Sequence, residues 1–337
     1  MGSTLGKLLK ISVFGESHGV GVGVTIDGFP AGMRIDETAL HEMLDRRKPS
    51  NKASSTKRRE SDEFELLSGI LNGVTTGAPI CAMTRNADQH SSAYDKLKDM
   101  PRPSHADYTG AVRYGGHNDL RGGGHFSGRL TAAVVFAGAL AKQYLSEKGI
   151  EVAASIDSIG GLTDETEIEA LVDQVRCSLD SVGGIISCRV TGLAAGIGSP
   201  MFDTVESRLS AALFGIPAVK GVQFGLGFDF AKARGSAVND AFALENGKII
   251  TKTNHNGGIL GGITTGMPVE FSVVIKPTAS ISAPQETLNT ATGAQETLVI
   301  GGRHDPCIVP RAVPVVEAVA ALVMLDLYLE AYGYANA

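Results

Sequence analysis

The sequence predicts an α/β protein of the α+β type, in which long helices lie between antiparallel sheets of a single domain, residues 1–337. The first observation is an internal repeat. Residues 68–80 read SGILNGVTTGAPI and residues 257–269 read GGILGGITTGMPV, with eight of thirteen positions identical. Each copy leads into a strand-like run. The repeat indicates two related halves, and the alternative is a chance likeness between two Gly-Thr turns.

The second observation is a pair of long apolar helices, one after each copy of the repeat. They read LTAAVVFAGALAKQYL at 130–145 and AVPVVEAVAALVMLDLYL at 312–329. Both are apolar on nearly all faces, so each must be buried on more than one side. A position between two sheets satisfies that requirement and predicts a β-α-β sandwich.

Shorter elements follow from local signals. The run KISVF before Gly15 and the alternation of Gly and Val at 19–26 both predict strands, the second with a flat glycine face. Asp36 is placed to cap one helix, and Asp203-Thr-Val-Glu206 is a capping-box pattern that opens another.

Composition and charge exclude several classes of protein. The net charge of −6 gives no general attraction for nucleic acid or anionic membranes. No apolar run reaches the roughly 18 residues that span a bilayer, and no signal-peptide pattern is present. The four cysteines are scattered without a CxxC pair, which favours a reducing compartment. We therefore expect a cytoplasmic protein with no nucleic-acid or membrane partner.

Three segments concentrate histidine and positive charge. FGESHG at 14–19 places His18 at a strand end. RRKPSNKASSTKRR at 46–59 holds seven Lys or Arg and no acid, which in an acidic protein favours a small anionic ligand. Residues 102–131 contain four arginines, three histidines and the run Gly122–Gly124, which leads into a helix and is typical of an anion cradle. Singly, each is also compatible with an ordinary turn or solvated loop.

Two later segments complete the candidate site. KPTASIS at 276–282 follows a strand and offers a cation with several hydroxyl groups, and GGRHDPC at 301–307 places Arg, His and Asp on one turn. No GxxxxGK[ST] or GxGxxG motif is present. The three histidines of 102–131 are spaced by 12 and 8 residues, which does not suit a metal site, so we expect no metal. The pattern predicts an enzyme for a small, multiply anionic substrate with histidine acid–base chemistry.

These segments closely resemble the chorismate synthase family over almost the whole chain. The strings that carry the resemblance are FGESHG (14–19), LDRRKP (44–49), RPSHADYTG (102–110), DLRGGGHFSGR (119–129), GIPAVKGVQFG (215–225), NGGILGGITTGMP (256–268), KPTASIS (276–282) and GRHDPCIVPRAVPVVEA (302–318).

The resemblance implies an anti-1,4 elimination of phosphate from 5-enolpyruvylshikimate-3-phosphate that gives chorismate and requires reduced FMN. It also implies a homotetramer in the shikimate pathway of aromatic amino-acid biosynthesis, with a separate flavin reductase as the expected source of reduced cofactor. Two alternatives are a flavin-dependent oxidoreductase that consumes NADPH and an inactive flavin- or anion-binding relative.

Residue roles also follow from the resemblance. The catalytic residues would be His18, His105 and Asp305. Substrate would be bound by Ser17, Arg47, Arg102, Ser127, Arg129 and Arg303. Flavin contacts would come from His125, Phe126, Ser127, Gln223, Phe224, Gly261, Lys276, Pro277, Thr278, Ala279, Ser280 and Arg303.

The sequence departs from the family pattern at four positions. His125 and Phe126 stand where the common string RGGGRSS has Arg and Ser, so this turn presents different side chains to the flavin. Ser104 replaces a usual Gly, and Ala53 stands where a further Arg is often found, with Lys52 as a possible substitute.

Overall fold

The computed structural model describes residues 2–49, 62–86, 98–301 and 304–334. In the first half the strands are β1 (Thr4–Leu5), β2 (Lys10–Gly15), β3 (Gly21–Asp27), β4 (Glu65–Ser68), β5 (Ile70–Leu71), β6 (Val74–Thr75) and β7 (Ile80–Arg85). In the second half they are β8 (Glu151–Ile159), β9 (Gly184–Thr191), β10 (Ala195–Gly198), β11 (Val219–Phe224), β12 (Phe242–Glu245), β13 (Lys248–Thr251), β14 (Ile259–Leu260), β15 (Ile263–Thr265), β16 (Val269–Ile275), β17 (Gln285–Leu288) and β18 (Gln295–Leu298). The helices are α1 (Glu37–Arg47), α2 (Asp107–Tyr114), α3 (Thr131–Glu147), α4 (Glu165–Cys177), α5 (Val205–Leu213), α6 (Gly235–Val238) and α7 (Val309–Tyr332).

Two antiparallel sheets form the outer layers. The first has five strands in the order β1-β2-β3-β7-β4, and the second has four in the order β11-β16-β9-β8. In β3 the alternation of Gly and Val has the predicted effect: Val22, Val24 and Ile26 are fully buried. On the other face the Phe14 ring lies over Gly23, where an added Cβ would be 2.4 Å from the ring.

The helical layer lies between these sheets. α3 contacts β2, β3 and β7 of the first sheet, α7 contacts β8 and β9 of the second, and the two helices pack against each other. Among the described residues α7 is the one helix long and apolar enough to cross a membrane, with a mean hydropathy of 2.0. Its most apolar window is 94% buried within the protein, so α7 is a core helix. The predicted β-α-β sandwich is confirmed.

The two copies of the sequence repeat form the same small hairpin. In the first copy, strands β5 and β6 pair Ile70 with Thr75, and in the second, β14 and β15 pair Ile259 with Thr264. Both threonines are 3% exposed. Thr75 Oγ1 accepts the Met33 N–H and Thr264 Oγ1 accepts the Ile197 N–H, each at 3.0 Å. Equal pairing and equal buried hydrogen bonds support the interpretation of two related halves.

A buried carboxylate of α7, Glu317, connects three elements of the sandwich. It accepts two hydrogen bonds from Arg46 of α1, at 2.8 and 2.9 Å, and one from Lys142 of α3, at 3.1 Å. It also accepts the Ala154 N–H of β8 at 3.0 Å. Burial raises the pKa of Glu317, but these hydrogen bonds and charges outweigh it and lower the pKa overall. The carboxylate is therefore ionised and paired on all sides.

A second buried carboxylate, Asp326, binds the start of the chain to the end of α7. It accepts the backbone N–H groups of residues 7, 8 and 9, each at 2.8 Å, and an ion pair from Arg208 of α5. The side chain of Asp326 is 2% exposed. One side chain of α7 thus accepts hydrogen bonds from three main-chain N–H groups between β1 and β2.

Gly138 of α3 packs directly against the backbone of α7. A Cβ added there would lie 2.3 Å from the Cα of Ala318. We expect Gly138→Ala to lower the free energy of unfolding in urea, because crowding of about 1–3 kcal/mol exceeds the roughly 1 kcal/mol gained in helix propensity. Gly235→Ala is the matched control, since Gly235 is also helical and its added Cβ would meet only the Asn239 side chain, at 3.7 Å. Equal unfolding midpoints for the two variants would contradict the prediction.

Candidate active site

A cavity of about 1060 Å³ lies where the N-terminal ends of α3 and α7 meet the loops of both halves. We call it the cationic cavity, because Arg47, Arg102, Arg129, Lys220, Lys276 and Arg311 line it. The predicted site residues in its lining are Arg47, Arg102, His105, His125, Phe126, Ser127, Arg129, Lys276, Pro277, Thr278, Ala279, Ser280 and Asp305. The structure thus brings together most of the residues that the sequence singled out from both halves.

Other predicted residues lie elsewhere. Ser17 and His18 are buried directly behind Gly122, which does line the cavity. Gln223 and Phe224 end strand β11, and Gly261 lies in the turn between β14 and β15; none of the three is in the cavity lining. Arg303, Lys52, Ala53 and most of the basic stretch 46–59 fall outside the described residues.

The glycine run 122–124 brings main chain against the buried His18. All three glycines have φ in the left-handed region, at 61°, 86° and 55°. A Cβ on Gly122 would lie 2.3 Å from the His18 ring, and the Gly124 carbonyl oxygen accepts the Ser17 N–H at 3.1 Å. Only glycine permits both this conformation and this approach. Ser17 Oγ is fully buried and has no hydrogen-bond partner in the described part of the chain.

On the other side of the run, the His105 imidazole belongs to a buried polar cluster. Its Nδ1 is 2.6 Å from Asp107 Oδ1, and the position of a Cβ on Gly123 would be 3.4 Å from its Nε2. Asp107 also accepts hydrogen bonds from Arg102 Nε and Nη2, both at 2.7 Å. Burial raises the pKa of Asp107, but the bonds from Arg102 and His105 outweigh burial and hold that pKa far below its usual range.

Asp62 joins two of the predicted substrate-binding arginines. One carboxylate oxygen pairs with Arg47 Nη2 and the other with Arg129 Nη1, and all three side chains are at most 3% exposed. Arg129 Nε also donates to Asn86 Oδ1 at 3.0 Å. Arg47 Nε is buried and has no partner among residues 2–49, 62–86, 98–301 and 304–334. A guanidinium N–H that is buried and unpaired in this way suits an anionic ligand.

Asp305 is held at the base of α7. Arg311 Nη1 donates to Asp305 Oδ2 at 2.5 Å, and Arg311 Nε donates to the Arg47 carbonyl oxygen at 3.0 Å. The neighbouring His304 also lines the cavity. Burial lowers the pKa of His304, which favours its neutral form. One arginine therefore connects the predicted catalytic carboxylate with a predicted substrate-binding segment.

The unusual pair His125-Phe126 has local partners of its own. His125 Nδ1 lies 2.8 Å from the Gly15 carbonyl oxygen, so Nδ1 carries the proton, and Nε2 accepts the Ser3 hydroxyl at 2.8 Å. Phe126 packs beside the Tyr114 ring, with centroids 6.3 Å apart, and against Gly110. Where the family string has Arg and Ser, this chain therefore has a histidine that hydrogen-bonds Ser3 of the N-terminal segment and an aromatic ring that lines the cavity.

Ser104, which stands where the family pattern has Gly, makes a side-chain contact that glycine cannot make. Its φ of 62° lies in the left-handed region that suits glycine. Lys276 Nζ donates to both the carbonyl oxygen and the hydroxyl of Ser104, at 2.6 Å each. Burial lowers the pKa of Lys276, and nearby Lys220 lowers it further. The serine hydroxyl thus gives the lysine a hydrogen-bond acceptor that glycine lacks.

Five acidic or basic residues of the site were absent from the predicted site residues: Asp62, Asp107, Lys220, His304 and Arg311. Asp107 stands within the quoted string RPSHADYTG, two positions from His105, and Arg311 follows GRHDP by five residues. A buried arginine requires a buried counterion, so an acid close in sequence to Arg102 was a signal for Asp107 that the sequence analysis did not use. Asp62 carries no such local signal, because 15 and 67 residues separate it from its two partners.

Asp62 generates a pH-dependent prediction. Burial raises its pKa, but Arg47 and Arg129 outweigh burial, so the folded pKa lies below the unfolded value of about 3.9. The stabilisation is therefore complete above that pH and is lost as the pH falls through the folded pKa. We expect Asp62→Asn to lower the free energy of unfolding by about 3–5 kcal/mol at pH 7. The difference from wild type should shrink below about pH 4.

The control for this urea-unfolding experiment is Glu65→Gln. Glu65 forms an exposed ion pair with Arg85 at 2.8 Å, and removing such a pair costs at most about 1 kcal/mol. If Asp62→Asn cost no more than this control at pH 7, the buried ion pair would have no stabilising role.

Comparison with known proteins identifies the family to which this chain belongs. The family model described as chorismate synthase matches residues 9–329. A chorismate synthase of Dehalococcoides mccartyi is 47% identical, with 98% of each chain covered. Those of Thermococcus kodakarensis and Chitinophaga pinensis are 46% and 47% identical and cover 95% and 97% of this chain. These relatives are covered to 96% of their own lengths.

A solved structure agrees with the sequence relatives. A crystal structure of a chorismate synthase superposes with a TM-score of 0.75 at 27% identity, covering 97% of this chain and 94% of the other. The enzymes of this name are lyases that eliminate phosphate. By family model, by sequence over nearly its full length and by fold, this chain belongs to the chorismate synthase family.

Proposed function

We propose that the protein converts 5-enolpyruvylshikimate-3-phosphate into chorismate by anti-1,4 elimination of phosphate, with reduced FMN as its cofactor. The observation that carries the proposal is the cationic cavity, with the buried His18 imidazole on one side of a left-handed glycine run and the partly buried His105 imidazole on the other. The substrate carries one phosphate and two carboxylates. Six cationic side chains in the lining suit such an anion, because arginine forks bind phosphate and carboxylate in pairs of hydrogen bonds.

The same cavity has the chemistry to hold a flavin. Its volume of about 1060 Å³ is slightly above the range of about 300–1,000 Å³ typical of sites for one ligand, so it has room for substrate and cofactor together. Residues 276–280 offer hydroxyl groups and an ammonium to the polar edge of a ring system, and Phe126 offers an apolar wall. Bound reduced FMN would supply transient electron density that helps the substrate expel phosphate.

The chain's own residues supply binding and proton transfer. Arg47 and Arg129 would hold the anionic groups of the substrate, with Ser17 Oγ as a further donor. His18, behind Gly122, would donate a proton to the departing phosphate. His105, on the opposite side, would lie against the cofactor and control its protonation. Asp305, oriented by Arg311, would assist removal of the proton from C6.

Further parts of the proposal rest on similarity to the family. We propose a homotetramer in the cytoplasm that receives reduced flavin from a separate reductase. All four cysteines, Cys81, Cys177, Cys188 and Cys307, are free thiols, which supports a reducing compartment. Arg303, Gln223, Phe224 and Gly261 remain predicted ligand contacts.

The first test is anaerobic turnover of 5-enolpyruvylshikimate-3-phosphate by the purified protein. We expect stoichiometric chorismate and phosphate with pre-reduced FMN and no product with oxidised FMN, followed by chorismate absorbance and a phosphate assay. Steady NADPH consumption without this substrate would instead support a flavin-dependent oxidoreductase. Flavin or anion binding without product would support an inactive relative.

The second test removes each imidazole. We expect His18→Ala and His105→Ala to slow turnover by about 10²-fold or more, the effect of losing a general acid or base. His41→Ala is the control, because His41 is exposed on α1, away from the cavity. Rates near wild type for either His18→Ala or His105→Ala would remove the proposed role of that histidine.

A further inference from the structure

Asp107 is the centre of a buried cluster that contains a proposed catalytic histidine and a predicted substrate-binding arginine. Its Oδ2 accepts the Arg102 backbone N–H at 3.0 Å and the Arg102 Nε–H at 2.7 Å. Its Oδ1 accepts Arg102 Nη2 at 2.7 Å and lies 2.6 Å from His105 Nδ1. The Asp107 side chain is 3% exposed. Both carboxylate oxygens therefore have two donors each, without help from solvent.

We propose that Asp107 is a positioning residue that fixes His105 in the tautomer protonated on Nδ1. The ion pair with Arg102 keeps the Asp107 carboxylate charged and in place. His105 Nδ1 lies 2.6 Å from Asp107 Oδ1 and 3.0 Å from Arg102 Nη2, and Nη2 already donates to Oδ1 over the shorter distance of 2.7 Å. An ionised carboxylate only accepts hydrogen bonds, so the ring nitrogen closest to it carries the proton. Nε2 of the neutral ring is then left with its lone pair toward Gly123 and the cavity. From there the ring is ready to accept a proton and return it.

The arrangement changes the role expected of Arg102. Its Nε and Nη2 are directed at Asp107, and its Nη1 donates to Ser280 Oγ at 3.0 Å. The Arg102 guanidinium thus connects Asp107 and His105 with residues 276–280. We assign it to holding these two parts of the cavity wall together, whereas Arg47 retains a buried donor that is available to substrate. The catalytic consequence rests on the proposed function, but the tautomer does not.

Asp107→Asn removes the negative charge of the side chain and keeps its shape. Asn has one acceptor oxygen, and that oxygen is best used by the two Arg102 donors that now share Oδ2. Its amide nitrogen then faces His105 Nδ1 as a donor, so the imidazole proton must move to Nε2. An isosteric Asn that imposes the wrong tautomer lowers the activity of Ser-His-Asp hydrolases by the same logic.

The tautomer is measured by solid-state ¹⁵N NMR of the full-length protein labelled on histidine, without cofactor or substrate. The protein has eight histidines, and the signals lost in His105→Gln identify His105. We expect neutral His105 to be protonated on Nδ1 in the wild type and on Nε2 in Asp107→Asn. A His105 ring protonated on Nε2 in the wild type, or unchanged in the variant, would overturn the proposal.

The matched control is Asp240→Asn. Asp240 is a buried carboxylate beside a histidine and accepts backbone N–H groups of His255 and Asn256 at 2.9 Å each, away from the cavity. It is expected to leave the His105 signals and the turnover rate unchanged. Asp107→Glu retains the charge and provides a second variant if Asp107→Asn does not fold; it should keep the proton on Nδ1.

A kinetic comparison then tests the catalytic consequence. With substrate and reduced FMN, Asp107→Asn should lower kcat by at least about 10-fold, part of the roughly 10²–10⁴-fold due to a general acid or base. KM should change by less than about threefold, because Arg47 and Arg129, which we propose to hold the substrate, pair with Asp62 and not with Asp107. A tautomer change with unaltered kcat would refute the catalytic role. Absence of wild-type turnover would refute the proposed function and leave the NMR result standing.

Discussion

The packing of α3 against α7 determines where the cationic cavity lies. Gly138 is the eighth residue of α3 and Ala318 the tenth of α7, so the helices touch at similar depths from their N-terminal ends. The first turns of both helices line the same cavity, through Thr131 and Val134 of α3 and Arg311 and Ala312 of α7. The N-terminal end of a helix carries partial positive charge, so this position favours an anionic ligand.

This arrangement also explains why carboxylates surround the cavity. Arg129 and Arg311 stand at the positive ends of the two helices, where a cation is unfavourable unless a negative charge is near. Asp62 and Asp305 supply that charge to each arginine. The cavity is therefore a set of paired charges with an excess of cations, and a bound anion relieves repulsion that the protein alone does not remove.

The sequence predicted the features that depend on local patterns and left out those that depend on tertiary distance. Helices that are apolar on all sides imply two covering layers, and this prediction was confirmed. The repeated Gly-Thr string was interpreted as a sign of two related halves, and the two equivalent hairpins support that interpretation. Asp62 was missed because nothing near it in sequence resembles a site, and its partners come from two helices. The relation of His18 to Gly122 was equally hidden, since 104 positions separate a strand end from a glycine turn that only the folded sheet brings together.

Asp326 joins segments that are far apart in sequence, because the N–H groups of residues 7–9 bind a carboxylate of α7. The contact between Leu8 and Asp326 spans 318 positions. Contacts of such high sequence separation slow folding, because the loop must close before the contact stabilises the chain. The cavity is lined by residues from both ends of this loop, so we expect its wall to form after the contacts that are local in sequence.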